Sequence, residues 1–465
     1  MRSIVLLLMA ALLLSVCSPS IVLGGDRPAF PGAEGFGSTT PGGRGGRVIF
    51  VNNLKDSGLG SFRAACETQG PRIVVFRTGG TIVLSKSIKL THPYITIAGQ
   101  SAPSGGICIR NDPSNEYSPL VITTHNVIIR HLRIRPGPPK KPSPCVDGVG
   151  IEHGAWNVIL DHCSLSWSTD ETFQLWGDPH DITLQWSFVT EALHHSTHPL
   201  GAHSKGVLIG TKGCTRISIH HCLLAHNIDR NPRIGMEGIL DFVNNVIYNP
   251  DAMGQLTDDH GKQLLNYVGN YIKRGPNSRT EPPSEKWSRY ELFAREKADF
   301  GFSIYVKGNL GPHRPSEDIQ ESAVVDPRDR KYITGTRHKA PPVTTMSARN
   351  ALKTVLARAG ATLPKRDAVD NRIVDEVRRG TGRVIDDPSQ VGGWPKLERG
   401  TPPVDSDLDG MPDTWEKIHS FNPDNPSDNN RDVDGDGYTN IEEYLNGTDP
   451  RRAERSYTSR PAGVK

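Results

Sequence analysis

The stretch RISIHHCLLAHN, Arg216–Asn227, decides the fold of this chain, because apolar residues alternate along it until a small residue interrupts the pattern. Such a segment is a β-strand whose apolar face is too small to form a core alone. Five further segments share the pattern: NVILDHCSLSW from Asn157, DITLQWSFVTE from Asp181, ILDFVNNVIYN from Ile239, QLLNYVGNYIK from Gln263 and FSIYVKGNLG from Phe302. Stacking of successive coils buries these faces in one continuous core.

Aligned on their strands, the six segments share one position that is always small or an amide. The aligned residues are Cys163, Ser187, Cys222, Asn245, Asn270 and Asn309. Side chains of this kind stack at a bend and satisfy backbone groups there. The irregular spacing, about two to three dozen residues, is typical of a right-handed parallel β-helix with variable loops. We therefore predict an all-β chain of this architecture, with a short helical extension and a small C-terminal calcium-loop module.

The composition agrees with a turn-rich β protein. The 465 residues include 47 Gly and 36 Pro, and 35% are hydrophobic, which disfavours a helical bundle. The formal net charge of +3 is close to balanced, so we expect no nucleic-acid partner. No segment after the N-terminus is apolar enough to span a membrane, and we expect a monomer.

The N-terminus has the pattern of a secretory signal peptide. Arg2 precedes an apolar run, and Gly24 marks the expected cleavage point, so we expect a secreted or extracytoplasmic protein. Six cysteines remain after cleavage, an even number in an oxidising compartment, and their pairing is open. The predicted segments are a signal peptide at 1–24, a β-helix domain at 25–310, an extension packing on the β-helix at 311–400, paired calcium loops at 401–450 and a tail at 451–465.

The Arg-Asn-Pro-Arg turn at Arg230–Arg233 carries the candidate catalytic residue. Pro232 fixes its own φ and biases Asn231 away from the helical region, so both arginines are held on a stiff turn. The preceding segment HSKGVLIG adds His203 and Lys205. This order of residues is the one an enzyme needs to bind and deprotonate an acidic sugar.

Four motifs resemble those of exported bacterial pectate lyases, within the parallel β-helix polysaccharide lyases. They are FPGAEGFG from Phe30, DHCSLSWSTDETF from Asp161, HSKGVLIG from His203 and RNPR from Arg230. The resemblance covers roughly residues 29–310. It implies polygalacturonate or a related acidic polysaccharide as substrate, Ca²⁺ as cofactor, and β-elimination begun by an arginine that removes the proton at C5.

The resemblance also implies roles for individual residues. Arg230 matches the catalytic arginine, and Lys205 matches the lysine that binds a substrate carboxylate. Asp147 and Asp170 match two calcium carboxylates. Arginine has a pKa above about 12 and is a poor base, so we expect burial and nearby positive charge to make neutral Arg230 accessible.

Two departures from the family pattern bear on calcium and substrate. Gln174 stands where a third calcium carboxylate is common, so a neutral oxygen replaces one anionic ligand. A second family arginine after the turn proline is absent, and Arg233 is the available substitute. Glu191 is open as a further cleft carboxylate or as a structural residue. His203 and its neighbouring histidines are expected to line the sugar cleft, because no H-E-x-x-H zinc motif is present.

The C-terminal module contains two copies of the EF-hand loop spacing, DSDLDGMPDTWE and DVDGDGYTNIEE. The predicted calcium ligands are Asp405, Asp407, Asp409, Asp413 and Glu416 in the first loop, and Asp432, Asp434, Asp436, Asn440 and Glu443 in the second. No long helix precedes the first loop, so the pair resembles extracellular calcium modules such as dockerin or thrombospondin-type repeats. Stabilisation, attachment and docking of a partner are all open as its role.

These observations favour a calcium-dependent pectate lyase, with two alternatives. A polygalacturonase-like hydrolase would use paired carboxylates, for which Asp161, Asp170 and Glu171 are available. A non-catalytic β-helix protein would use the basic turn only to bind acidic glycans. The exact uronide, its methylation and endo or exo action are not determined by these residues.

Overall fold

The computed structural model describes residues 27–257, 260–280, 288–295 and 301–454. The predicted signal peptide, residues 1–24, lies outside the described residues, as does most of the predicted tail. Within the described ranges, parallel strands dominate and the helices are few and short. The predicted parallel β-helix is therefore confirmed.

Three parallel sheets run along the coil, and successive turns of the chain add one strand to each. Sheet A contains β1 (Arg47–Val51), β2 (Arg72–Phe76), β5 (Ile95–Ala98), β8 (His125–Arg130), β11 (Trp156–Asp161), β14 (His180–Gln185), β17 (Thr215–His220), β20 (Gly238–Val243), β23 (Gln263–Val268) and β26 (Phe302–Lys307). Sheet B contains β3 (Gly80–Leu84), β6 (Ile107–Asn111), β9 (Arg133–Ile134), β12 (Ser164–Ser166), β15 (Phe188–Thr190), β18 (Leu223–Ala225), β21 (Val246–Tyr248) and β24 (Tyr271–Lys273). Sheet C contains β4 (Ile88–Leu90), β7 (Leu120–Ile122), β10 (Val149–Glu152), β13 (Glu171–Trp176), β16 (Lys205–Ile209), β19 (Arg233–Ile234), β22 (Gly254–Leu256) and β25 (Leu292–Ala294).

The helices are α1 (Phe62–Glu67), α2 (Ala348–Arg358), α3 (Ala368–Arg379), α4 (Asp413–Ile418) and α5 (Asn440–Asn446), with short 3₁₀ turns at Gly99–Ser101, Glu321–Val324, Arg330–Tyr332 and Pro388–Val391. Helix α1 contributes Phe62, Ala65 and Cys66 to the core of the coil, whereas the other α-helices pack outside that core. Every helix in the described ranges is too short or too polar to cross a membrane.

The core is a column of aliphatic and aromatic side chains enclosed by the three sheets. Ile219 of β17 shows the pattern, since it is fully buried and pairs in register with Leu184 on one side and Phe242 on the other. Alternation places every second strand residue in this column, as expected for period-two segments. Burial of such a column is the main stabilising contribution to a stacked coil.

The aligned small and amide residues form the predicted ladder at the bend between sheets A and B. The backbone amides of Cys222, Asn245 and Asn270 each donate to the side-chain oxygen of the next aligned asparagine, at 3.0, 2.9 and 2.9 Å. The last acceptor is Asn309. At this buried bend the chain leaves the sheets, so the backbone amides have no strand partner. The ladder of side-chain oxygens supplies their hydrogen-bond acceptors.

The outer face of sheet A is covered by the FPGAEGFG segment. The amide of Gly37 donates to Thr183 Oγ1 at 2.9 Å, and that of Phe36 donates to Ser218 Oγ at 3.1 Å. A Cβ on Gly37 would lie 2.3 Å from the carbonyl oxygen of Val158, so only glycine fits. This motif therefore anchors the N-terminal segment across the coil.

Helices α2 and α3 cover the outer face of sheet B. Val355 and Ile373 pack into a buried cluster that contains Phe188 of β15. Arg135 of the coil donates to two carboxylates near the start of α3, on Asp367 at 2.6 Å and Asp370 at 2.7 Å. The outer face of sheet C carries no such cover among the described residues over its middle strands, and a cleft of about 900 Å³ lies there.

The six described cysteines are free thiols, and Cys145 alone among them is exposed. Cys163 and Cys222 are fully buried in the ladder at the bend. Burial raises the pKa of Cys222 to about 12, so this thiol is held in its neutral form. These two cysteines act as small packing residues.

Candidate active site

Three carboxylates meet where the loop before β10 approaches the start of β13. Oxygens of Asp147, Asp170 and Glu171 lie within 4.8 Å of one another. The buried Asp147 accepts from the amide of Glu171 at 3.0 Å and from Ser118 Oγ at 3.1 Å. Burial, followed by the charge of Asp170, raises the pKa of Asp147 well above its usual range. A cluster of carboxylates at this separation fits a hard cation such as Ca²⁺.

Gln174 and Glu152 extend this cluster along the face of sheet C. Gln174 Nε2 donates to Asp147 Oδ2 at 3.1 Å and lies 3.5 Å from Glu152 Oε1. The Glu152 side chain folds back over Gly150, the residue that pairs in register with Gln174. Glu152 was not among the predicted site residues, although alternation in VGIE places it on the outer face of β10.

His203 lies against the acidic cluster. Its Nε2 is 2.9 Å from Asp170 Oδ1, and its ring stacks on His198 with the centroids 3.5 Å apart. Burial and then His203 lower the pKa of His198, which keeps that imidazole neutral at ordinary pH. The structure thus brings His203 to a predicted calcium carboxylate, and its role as a substrate contact stays a prediction.

Lys205 lies next to the acidic cluster in the register of sheet C. It pairs in register with Glu171 on one side and bridges to Asp229 on the other. Its Nζ is 2.5 Å from Asp229 Oδ2. Asp229 is buried and also accepts from the amide of Arg230 and from Gln255 Nε2. Asp229 and Gln255 were missed by the sequence patterns, although Asp229 directly precedes the arginine turn.

Buried amides hold the arginine turn in place. Asn231 Nδ2 donates to the carbonyls of Asn227 and Ala252, both at 3.0 Å. The peptide bond between Asn231 and Pro232 is cis, and Arg230 has a positive φ of 60°. A Cβ at Gly206 would lie 2.7 Å from the Arg230 carbonyl oxygen, so glycine permits this close approach. The turn is therefore rigid for reasons beyond its proline.

The guanidinium of Arg230 is half-buried beside the acidic cluster. Its Nη1 contacts Glu171 Oε1. Burial, and then the positive charge of Arg233, lower the pKa of Arg230 to about 10. An arginine in these surroundings is closer to neutrality than one in water, which is what a general base requires.

The cleft continues from the acidic cluster along the earlier strands of sheet C. Lys86, Lys89 and the exposed Tyr117 line it, and Asp147 and Asp170 lie at its border with the arginine turn. The lining also includes the carboxylates of Glu67 and Glu116, so an anionic polymer in this cleft would meet positive charge at Lys86 and Lys89.

Two other candidate carboxylates lie elsewhere. Glu191 is fully buried beneath α3, where it accepts from Arg372 at 2.8 Å and from the Trp167 indole at 2.9 Å. Its role is therefore structural. Asp161 belongs to sheet A and pairs with Arg130 at 2.9 Å, so it does not share a site with Asp170.

The acidic residues of the first C-terminal loop converge on one point. Oxygens of Asp405, Asp407 and Asp409 lie within 4.8 Å of one another, and Asp409 belongs to a second such group with Glu416 and Asp428. Asp428 was not predicted. The fourth aspartate of the loop, Asp413, accepts from the amide and the hydroxyl of Ser406, both at 2.8 Å.

The second loop is more open. Asp432 accepts from the amides of Gly435 and Gly437 at 2.8 and 2.7 Å. Asp436 accepts from the amide of Tyr438 at 2.9 Å. Buried oxygens without a hydrogen-bond partner remain on Asp434, Asn440 and Glu443.

Fold and site together define a parallel β-helix protein with an acidic cluster, a lysine and a half-buried arginine on its open face. No family model matches the chain. It is 36% identical over 432 residues to a probable pectate lyase C of Neosartorya fischeri, covering 91% of this chain and 94% of that protein. It is 33% identical over 431 residues to the Emericella nidulans protein of the same name, covering 91% and 93%.

The chain therefore belongs to the pectate lyase family, and it is a polysaccharide lyase. The relatives aligned over nine tenths of the chain are fungal, so the sequence-based resemblance to bacterial enzymes is wrong in that respect. A solved structure of a Bacillus pectate lyase in complex with trigalacturonate shares 16% identity with a TM-score of 0.47, covering 70% of this chain and 98% of that one.

Proposed function

We propose that this protein is a calcium-dependent pectate lyase that cleaves polygalacturonate or a closely related uronide by β-elimination. The observation that carries the proposal is the position of the half-buried Arg230, which contacts Glu171 of the acidic cluster and directly follows Asp229, the partner of Lys205, on a turn held by buried amides. Export is part of the proposal, and it rests on the N-terminal sequence pattern.

The acidic cluster supplies the ligands for calcium. Asp147, Asp170 and Glu152 offer carboxylate oxygens, and Gln174 offers an amide oxygen once its side chain rotates. Ca²⁺ takes six to eight oxygens, which leaves room for water and the sugar carboxylate. When bound, the ion would neutralise the sugar carboxylate and so make the adjacent C5 proton more acidic.

Lys205 and Arg230 divide the remaining chemistry. Lys205 exchanges its contact with Asp229 for the sugar carboxylate and stabilises negative charge that develops there. Arg230, released from Glu171 and in its neutral guanidine form, accepts the C5 proton and becomes guanidinium. The electron pair of the C5–H bond forms the C4–C5 double bond as the C4–O bond breaks. The departing oxygen takes a proton from solvent, and Arg230 returns its proton to solvent before the next turnover. Water is not consumed.

Incubation of the purified protein with polygalacturonate and Ca²⁺ tests the function directly. A lyase produces an unsaturated uronide, so ultraviolet absorbance rises together with new reducing ends, and excess chelator stops both. A hydrolase would release reducing ends without the absorbance. A binding protein would produce neither, and either result would reject the proposed function.

Replacing Glu152 with glutamine tests whether this residue supplies the anionic oxygen that Gln174 lacks. We expect the calcium concentration for half-maximal activity to rise several-fold, because one hard anionic ligand becomes neutral. Gln174→Asp should lower that concentration. Glu116→Gln is the matched control, since Glu116 lines the same cleft outside the acidic cluster. Unchanged calcium dependence in Glu152→Gln would remove Glu152 from the site.

A further inference from the structure

The C-terminal module packs its apolar face on the β-helix itself. Met411 and Ile441 are fully buried against Ile73 and Val75, the outward-facing residues of β2. Trp415 of α4 packs against the same cluster. The face that a separate docking module would offer to a partner is therefore occupied by the first coils of this chain.

Polar contacts join the module to the N-terminal segment. Arg44 Nε lies 2.9 Å from a carboxylate oxygen of Glu442. The Tyr438 hydroxyl donates to the carbonyl of Pro28 at 3.1 Å, and Arg130 Nη1 donates to Asn446 Oδ1 at 2.8 Å. The second calcium loop and α5 thus fasten the start of the chain to sheet A.

The first loop contains more buried negative charge than its protein partners satisfy. Both carboxylate oxygens of Glu416 lack a hydrogen-bond partner, and so does one oxygen each of Asp407, Asp409 and Asp428. Buried oxygens of this kind are costly unless a cation coordinates them.

Asp428 reaches this site from the linker between the two loops. Its own carbonyl accepts from Asn440 Nδ2 of the second loop at 2.8 Å. The neighbouring Asn429 donates through Nδ2 to the carbonyl of Asp409 at 2.9 Å. One short segment therefore connects the ligands of the first loop to the start of α5, which packs on β2.

We propose that Asp428 completes the first calcium site with Asp405, Asp407, Asp409 and Glu416, and that the ion bound there fastens the module as a clamp on the first coils of the β-helix. The C-terminal module is on this account a calcium-dependent stabiliser of the catalytic coil. It does not depend on the cleft chemistry proposed above.

The test compares Asp428→Asn with Asp424→Asn, an exposed aspartate of the same linker. Calcium titration calorimetry on the full chain should show one site weakened at least about tenfold in Asp428→Asn, as expected for loss of a metal-organising carboxylate. Asp424→Asn should bind as the unaltered protein does. Glu416→Gln should weaken the same single site, and unchanged calorimetry in both ligand variants would overturn the site.

Hydrogen exchange of the unaltered protein distinguishes a clamp from a local loop stabiliser. Calcium should slow exchange in β1 and β2 as well as in residues 405–446, and Asp428→Asn should lose the effect on β1 and β2. Protection confined to 405–446 would overturn the clamp. Lyase activity at saturating calcium should survive in Asp428→Asn at moderate temperature, so failure of the cleft proposal would be seen independently.

Discussion

Replacing Arg230 with lysine is expected to lower turnover on polygalacturonate by at least about a hundredfold, the scale of losing a positioned general base. Lysine keeps the positive charge but loses the planar guanidinium that reaches from the turn to Glu171. Binding of the polymer should change little. Initial rates by ultraviolet absorbance and affinity by a binding assay without turnover measure the two effects separately.

Arg233→Lys is the matched control, since it alters the other arginine of the same turn and should leave much of the turnover. The pH profile gives a second check. Because the folded-state pKa of Arg230 is lowered to about 10, the fraction of neutral base increases with pH, and turnover should rise about tenfold per unit below that value. Near-normal turnover of Arg230→Lys with a raised substrate requirement would make Arg230 a binding residue.

Asp170→Asn is expected to raise the calcium concentration for half-maximal activity by about tenfold to a hundredfold. Asp170 offers one of the clustered carboxylates and also positions the His203 ring through a 2.9 Å contact. The asparagine therefore removes a negative charge from the calcium site and weakens the contact that orients His203. Activity measured across calcium-buffered solutions gives the value. His203→Gln should raise the calcium concentration for half-maximal activity less than Asp170→Asn does, because it removes the His203 contact and keeps the Asp170 charge.

Asp147→Asn tests the same assignment from the buried side of the cluster. The asparagine side chain still has an oxygen that can accept from Ser118 Oγ, but it lacks the negative charge that repels Asp170. A calcium requirement that stayed unchanged in both aspartate variants would mean that the ion binds elsewhere. Retained activity of both in excess chelator would reject a catalytic role for calcium.

The fold was predictable because strand alternation and the aligned small residues repeat in six successive coils. Each repeat buries the same face, so Cys222, Asn245 and Asn270 could be aligned without knowing the loops, and the ladder joins them. Local motifs also located the arginine turn. The ladder depends on contacts between neighbouring strands, and the arginine turn depends on residues that are adjacent in the sequence.

The missed residues depend on contacts between coils. Glu152 approaches Gln174 only because β10 and β13 pair in one particular register. Asp229 meets Lys205 through the next coil, and Asp428 reaches the first calcium loop from a linker outside the motif. Glu191 has a positive φ of 52° at the end of a strand, where alternation no longer predicts which way a side chain points.

The clamp has a consequence for the order of folding. Strand pairs between successive coils join residues as little as 22 positions apart, so the coil can grow from its first turns as the chain is made. The contact between Arg44 and Glu442 joins residues 398 positions apart, so it forms only after the C-terminal module has been made. Until then the outer face of β2 is uncovered, and incomplete chains expose an apolar strand that invites aggregation. Only a full-length chain can close the clamp and cover the outer face of β2, whereas a chain truncated before the module leaves that apolar face exposed.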